Sequence, residues 1–200
     1  MSRLVVATLN AGKLREFRAA LFPAGIEVAG LEALTDRSPV EETGATFEEN
    51  ARIKAEAYSL RTDLEVLADD SGLEVDALHG EPGVRSARYG EADLDDWGRY
   101  RLVVERLRGV PPAMRTARFR CALAVARAGR ALAVFEGAAE GRILDAPRGE
   151  NGFGYDPIFF HEGTGRTFAE LTRAEKEALS HRGQAIRRMI EAVSEGKLVL

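Results

Sequence analysis

The chain is poor in cysteine, lysine and tryptophan and has no long apolar run. Among its 200 residues there are one cysteine, Cys121, one tryptophan, Trp97, and four lysines, Lys13, Lys54, Lys176 and Lys197. A single cysteine rules out an internal disulfide framework, and the alternation Ala117, Phe119, Cys121, Leu123, Val125 reads as a strand with a buried thiol. The run from Leu4 to Leu9 is too short for a signal h-region or a membrane span, so a cytoplasmic protein with no membrane association is expected. An excess of positive charge is also missing: the net charge is −4. Broad nucleic-acid binding needs a basic face to displace counterions, and is excluded as the default on that ground. A small phosphorylated ligand stays open. Hydrophobic residues at 45% and charged ones at 30% lie near globular averages, which leaves an ordinary domain with a sizeable core.

Periodicity predicts a mixed α/β fold. Leu4 to Ala7 reads as a short buried strand, followed by a loop and a helix carrying Leu14, Phe17 and Leu21 up to Pro23-Ala24-Gly25. Thr46-Phe47-Glu48-Glu49 is a capping box opening a helix with Phe47, Ala51, Ala55 and Tyr58 on one stripe; Asn50 and Lys54 lie beside it. Val66-Leu67-Ala68 is a second buried strand, with a hairpin or bend expected at Asp69-Asp70-Ser71-Gly72 before the alternation Leu73, Val75, Ala77. Asp93 is expected to cap a third helix with Leu94, Trp97, Arg101, Val104 and Leu107 on its apolar side. Strands over 116–127 and 131–136, an apolar strand at Pro157 to Phe160, a capping box at Thr172 to Glu175 and a last helix with Ile186, Met189, Ile190 and Val193 follow. Strands outnumber a simple βαβ alternation, so the expected sheet is mixed, with flanking helices.

Four segments carry candidate chemistry. Thr8-Leu9-Asn10-Ala11-Gly12-Lys13 lies where a strand hands over to a helix, and helix-start N–H groups with a lysine suit a phosphate. A P-loop is excluded, because Ala7 stands where its first glycine belongs and Leu14 follows the lysine. Asp69-Asp70 at a strand end suits a Mg²⁺ site or a general base, and reads equally as a solvated turn. Glu42 is either a partner carboxylate or part of an exposed acidic loop. Gly152-Phe153-Gly154-Tyr155-Asp156-Pro157 lets a backbone approach a flat ligand with Phe153 stacked on a base, or is a tight loop with Phe153 in the core. Lys176 with Ser180-His181-Arg182 suits an anion or a keto oxygen, or is a capped surface helix.

Six ordered blocks resemble the inosine triphosphate pyrophosphatase family: Thr8 to Glu16; Glu42-Thr43-Gly44 with Thr46-Phe47, Glu49-Asn50-Ala51 and Lys54-Ala55; Ala68 to Leu73; Gly83 to Tyr89; Gly152 to Phe159; and Leu171 to Gly183. The resemblance spans nearly the whole chain. It implies a single domain over 1–200, with an elongated mixed α/β fold of two lobes around a central cleft, usually homodimeric. It also implies Mg²⁺-dependent hydrolysis of ITP, dITP and XTP to the monophosphate and pyrophosphate, which removes deaminated purines from the nucleotide pool. By the same resemblance, Thr8, Leu9, Asn10, Ala11, Gly12 and Lys13 hold the triphosphate, Asp70 is the catalytic carboxylate and a Mg²⁺ ligand, and Ser71 contacts substrate. Glu42 and Asp69 support the metal, while Phe153, Gly154, Tyr155, Asp156, Lys176, His181 and Arg182 contact base and phosphate. Thr8 stands where serine is frequent in the family, and either supplies a hydroxyl. A Maf-like nucleotide pyrophosphatase, a non-catalytic nucleotide sensor and an RNA-contacting module are the alternative readings; the Phe153 to Asp156 and Ser180 to Arg182 blocks favour the purine one.

Overall fold

The computed structural model describes residues 2–91 and 93–200. Seven strands form one sheet in the order β2-β1-β3-β4-β5-β6-β7, with β1 at Ser2–Ala7, β2 at Ile26–Ala29, β3 at Glu65–Val75, β4 at Thr116–Arg127, β5 at Arg130–Ile143, β6 at Phe159–His161 and β7 at Arg166–Thr167. The helices are α1 at Ala11–Leu21, α2 at Phe47–Ser59, α3 at Asp96–Arg106, α4 at Arg173–Leu179 and α5 at His181–Ser194. The sheet is mixed: β1 pairs in parallel with β2 and β3, whereas β5–β6 and β6–β7 are antiparallel. Parallel neighbours need crossovers, which α1 and α2 supply. The chain divides into two compact units, residues 1–70, 121–137 and 182–200 forming the first, and 71–120 and 138–181 the second.

In the first unit one face of the sheet presents Leu4, Val6, Leu67, Cys121, Leu123 and Val125, which pack with Phe17 and Leu21 of α1 and Ile186 and Met189 of α5. Phe47, Ala51, Ala55 and Tyr58 of α2 are buried along the expected stripe, and Thr46 and Glu49 close the capping box. The second unit has its own core, in which Phe119, Phe159 and Phe168 are mutually packed aromatics beside Leu73, Val103, Leu107 and Ile158.

Four expectations change. The strand expected at Pro157 to Phe160 forms over Phe159–His161, with Pro157 and Ile158 in the turn before it. No bend interrupts the Asp pair: β3 runs unbroken from Glu65 to Val75, because cationic and amide partners compensate the two carboxylates and let the strand stay buried there. Helix α3 is capped by Asp95, whose carboxylate accepts the Gly98 N–H at 2.7 Å, not by Asp93. Its buried face is Tyr100, Val103 and Leu107, while Trp97 is 54% exposed with the Arg101 guanidinium 4.1 Å over its ring. The 131–136 strand is longer than periodicity suggests, running to Ile143. Ala128 and Gly129 join it to β4, both at positive φ as a tight hairpin turn requires.

Candidate functional site

The first unit places its chemistry by topology. In the order β2-β1-β3, the connections leave β1 in opposite directions, and the carboxyl end of such a strand is where open α/β sheets bind ligands. Ala7, the last residue of β1, pairs with Ala68, so Thr8 to Lys13 leave the sheet as β3 carries on into Asp69 and Asp70. The loop folds on itself: the Asn10 N–H donates to Thr8 Oγ1 at 3.1 Å, and the Asn10 side chain caps α1 by accepting the Lys13 N–H at 3.0 Å. The N–H groups of Ala11 and Gly12 precede any intrahelical acceptor, a chemistry that suits an anion. Leu9 is 77% exposed.

Successive strand side chains point to opposite faces, and the two aspartates accordingly have different surroundings. Asp69, fully buried, is paired with Lys13 through Oδ1, while its Oδ2 accepts from Arg182 Nε at 3.2 Å and from the Cys121 thiol at 3.2 Å. Arg182 in turn pairs with Glu16, one turn along α1 from Lys13. Burial alone would raise the Asp69 carboxyl; the cations Arg182, Lys13 and Lys54 outweigh it and hold it well below the usual range. Burial, together with the Asp69 charge, keeps the Cys121 thiol protonated.

Asp70 faces α2. Its Oδ2 accepts from Asn50 Nδ2 at 3.0 Å, and its Oδ1 lies 3.9 Å from the Lys54 ammonium. That ammonium donates to the Asp69 carbonyl at 2.6 Å and pairs with Glu42 Oε1 at 2.7 Å. Burial is the largest influence on Asp70, and with the neighbouring Glu42 charge it exceeds the pull of Lys54, Lys13 and Asn50, so the carboxyl is pushed up to about 6. A carboxylate with its pKa near neutrality is suited to exchanging protons there.

Among the described residues no group of three or more His, Cys, Asp and Glu side chains is placed to hold a metal ion. The donor chemistry still fits Mg²⁺ in its common mode, with one or two carboxylates and the remaining positions left to water and phosphate. Glu42 and Asp70 are hard oxygen donors around one ammonium, and each raises the other's demand for positive charge. Both Asp69 oxygens hold cationic or thiol partners from the protein itself.

The second unit gathers the other expected residues around the Gly152 to Asp156 loop. Asp156 Oδ2 accepts the Phe153 N–H at 2.9 Å and the Lys176 ammonium at 2.6 Å, and the same ammonium lies 4.7 Å over the Phe153 ring. Phe153 is half-buried rather than a core residue. A Cβ at Gly152 would lie 2.0 Å from Asp156 Oδ2, and the residue has φ +78°, so glycine is required there. Gly154 N–H donates to Asp96 at 2.9 Å, and the Tyr155 hydroxyl to the Ser86 carbonyl at 2.8 Å. His181 stacks on Phe119 with ring centres 4.8 Å apart. Ser71 is half-buried on β3. Arg182 is not part of this group; it belongs to the Asp69 ion-pair network of the first unit.

No sequence motif above assigns a role to Asn50, Lys54 or Glu16. Their signal was available in part: Asn50 and Lys54 are four residues apart beside a buried stripe, and an asparagine in a helix interior competes with the helix for its own backbone.

A family model described as the Ham1 family matches residues 4–192. A protein of Geobacillus kaustophilus named dITP/XTP pyrophosphatase is 51% identical over 98% of this chain and 96% of its own. The Bacillus subtilis protein of the same name is 47% identical over 94% of this chain and 96% of its own. The solved structure of a HAM1 protein from Coxiella burnetii superposes with a TM-score of 0.88 at 40% identity, covering 98% of this chain and 100% of the other.

Proposed function

Because the chain belongs to the Ham1 family, we propose that it hydrolyses non-canonical purine nucleoside triphosphates, XTP, dITP and ITP, to the monophosphate and pyrophosphate. The observation that carries this reading is the paired arrangement in the first unit: a lysine at a helix start, and next to it the Asp70 carboxylate, held by Asn50, with the Glu42 carboxylate and the Lys54 ammonium beside it. A purine triphosphate presents four negative charges near neutral pH, and the acidic chain has to meet them locally. Lys13 and the N–H groups opening α1 supply fixed positive potential for the β and γ phosphates.

In the hydrolysis, a water oxygen bonds to the α phosphorus, the α–β phosphoanhydride bond breaks, and pyrophosphate leaves. Asp70 takes the proton from that water, with Asn50 holding its other oxygen. The nucleophile is then oriented, and its charge develops as its proton is removed. Glu42 and Asp70 are the residues to hold Mg²⁺, which when bound neutralises phosphate oxygens and the departing pyrophosphate. Asp69 keeps Lys13 and Arg182 in place, and Lys54 keeps the two carboxylates close without a metal.

For the base, Phe153 to Asp156, Lys176 and His181 are the proposed contacts. Hypoxanthine and xanthine carry a 6-keto oxygen and an N1–H where adenine has an amine and a bare N1. Donors to the first and an acceptor for the second leave buried groups unpaired when adenine enters, a strong source of discrimination. Ser71 as a substrate contact, a two-lobed single domain, a homodimer and a cytoplasmic location belong to the same proposal.

The test is pyrophosphate release with and without Mg²⁺ across XTP, dITP, ITP, ATP, GTP, CTP and UTP. Mg²⁺-dependent release confined to the first three supports the proposal. Equal activity on ATP refutes the specificity, and binding without release favours a nucleotide sensor.

A further inference from the structure

Asn50 lies in the interior of α2 with no exposed surface, and both ends of its amide are used. Nδ2 donates to Asp70 Oδ2 at 3.0 Å, and Oδ1 accepts the Gly44 N–H at 2.8 Å. The second partner fixes which way the amide faces, since a flipped side chain would set its NH₂ against the Gly44 N–H and its oxygen against the carboxylate. The Gly44 approach is open only to glycine: a Cβ there would lie 2.7 Å from Asn50 Oδ1 and 2.6 Å from the Glu49 Cβ. Two residues before Gly44 is Glu42, whose carboxylate the Lys54 ammonium holds at 2.7 Å. Lys54 does not set the plane of Asp70 in this way, its ammonium standing 3.9 Å from Oδ1.

We propose that Asn50 is a positioning residue: one amide fixes the plane of the Asp70 carboxylate and ties the Glu42 loop to it. The inference rests on the proposed role of Asp70 and deepens it. A carboxylate turns about its Cβ–Cγ bond, and one directed donor on Oδ2 selects a single orientation for the oxygen that meets water. The same amide keeps the loop carrying Glu42 from drifting away from that oxygen. Catalysis by positioned groups loses about 10²-fold for a displacement of ~1 Å, which sets the expected effect.

Two variants remove the amide, Asn50→Leu at similar volume and Asn50→Ser. With XTP, kcat falls about 100-fold while KM stays within about threefold, because Lys13 and the start of α1 are untouched. Hydrogen exchange at the Gly44 amide accelerates in both variants, a readout independent of turnover. In an Asp70→Asn background, Asn50→Leu adds little further loss, because the group it orients is already gone. A folded Asn50 variant with wild-type kcat, an equal fold loss in both backgrounds, or unchanged Gly44 exchange overturns the proposal. Should both Asn50 variants fail to fold, Gly44→Ala strains the other end of the same clamp; it is expected to lose at least about tenfold in kcat, and wild-type kcat there overturns the proposal. Absence of activity in the wild-type protein defeats the functional reading alone, and Gly44 exchange still decides the clamp.

Discussion

Replacing Asp70 by asparagine is expected to cut turnover to a small but measurable residual rate and, at the same time, to stabilise the metal-free protein. Asp70 is 6% exposed and its carboxyl is pushed from the usual 3.8 up to about 6, first by burial and then by Glu42, against the opposing pull of Lys54, Lys13 and Asn50. A native pKa above the unfolded one means that the native state binds the proton more tightly. Stability contributed by the protonated form is complete below pH 3.8 and is lost as pH rises through about 6. At ~1.4 kcal/mol per pH unit the ionised carboxylate therefore destabilises the native state by about 3 kcal/mol at pH 8. Asparagine keeps the shape and an oxygen for the Asn50 donor, and has no charge to desolvate. Its amide facing Lys54 offsets part of the gain, so a stabilisation of about 2 kcal/mol is expected, or roughly 4–8 °C in Tm for a chain of this size. The assay is denaturant unfolding of both proteins in a metal chelator from pH 4 to pH 8. The difference should be near zero at pH 4, grow between pH 4 and 6.5, and level off above. Asp69 does not blur this window, because its depressed carboxyl titrates below it. An Asp70→Asn protein less stable than wild type at pH 8, or a difference that does not change with pH, would refute the reasoning.

Other perturbations separate the remaining parts. Lys13→Met should raise KM for XTP by about tenfold or more, equivalent to ~1.4 kcal/mol or above, measured by steady-state kinetics. Arg182→Leu leaves buried Asp69 and half-buried Glu16 without their shared guanidinium and should destabilise the protein by about 3–5 kcal/mol in denaturant unfolding. Lys176→Met removes the partner of buried Asp156 and the cation over Phe153; a comparable loss of about 3–5 kcal/mol is expected, with a reduced ratio of kcat/KM for XTP over ATP. Gly152→Ala, at φ +78° and with its new Cβ 2.0 Å from Asp156, should destabilise by about 1–3 kcal/mol and lower the same ratio.

Much of the first unit was legible in the sequence because local chemistry and burial agree there. The apolar run at Leu4 to Ala7, the helical spacing of Leu14, Phe17 and Leu21, the Thr46 capping box and the alternation through Cys121 each specify one element, and each is present. The second capping box, at Thr172 and Glu175, opens α4 as its pattern implies. The misreadings have physical causes. Asp-Asp-Ser-Gly is turn chemistry when solvated, and only partners from distant segments, Lys13, Arg182, Asn50 and Lys54, keep it in a strand. Those partners are up to 113 residues away in sequence, beyond any periodicity. At α3 two nearby aspartates compete as caps, and choosing Asp93 in place of Asp95 shifts the apolar stripe onto Trp97, which remains exposed. Of the candidate site, the cationic and anionic residue types were visible at once. The different surroundings of the neighbouring aspartates were not, because they follow from which face of β3 each side chain occupies.

In the proposed hydrolysis, water attacks the α phosphorus and Asp70 receives its proton. Hydrolysis of XTP in ¹⁸O-labelled water, with mass analysis of the products, tests this most directly. The label should appear in the monophosphate and not in pyrophosphate, with the rate of labelled product cut to a small residual in Asp70→Asn. Label in pyrophosphate or orthophosphate, or an undiminished rate in that variant, would contradict it.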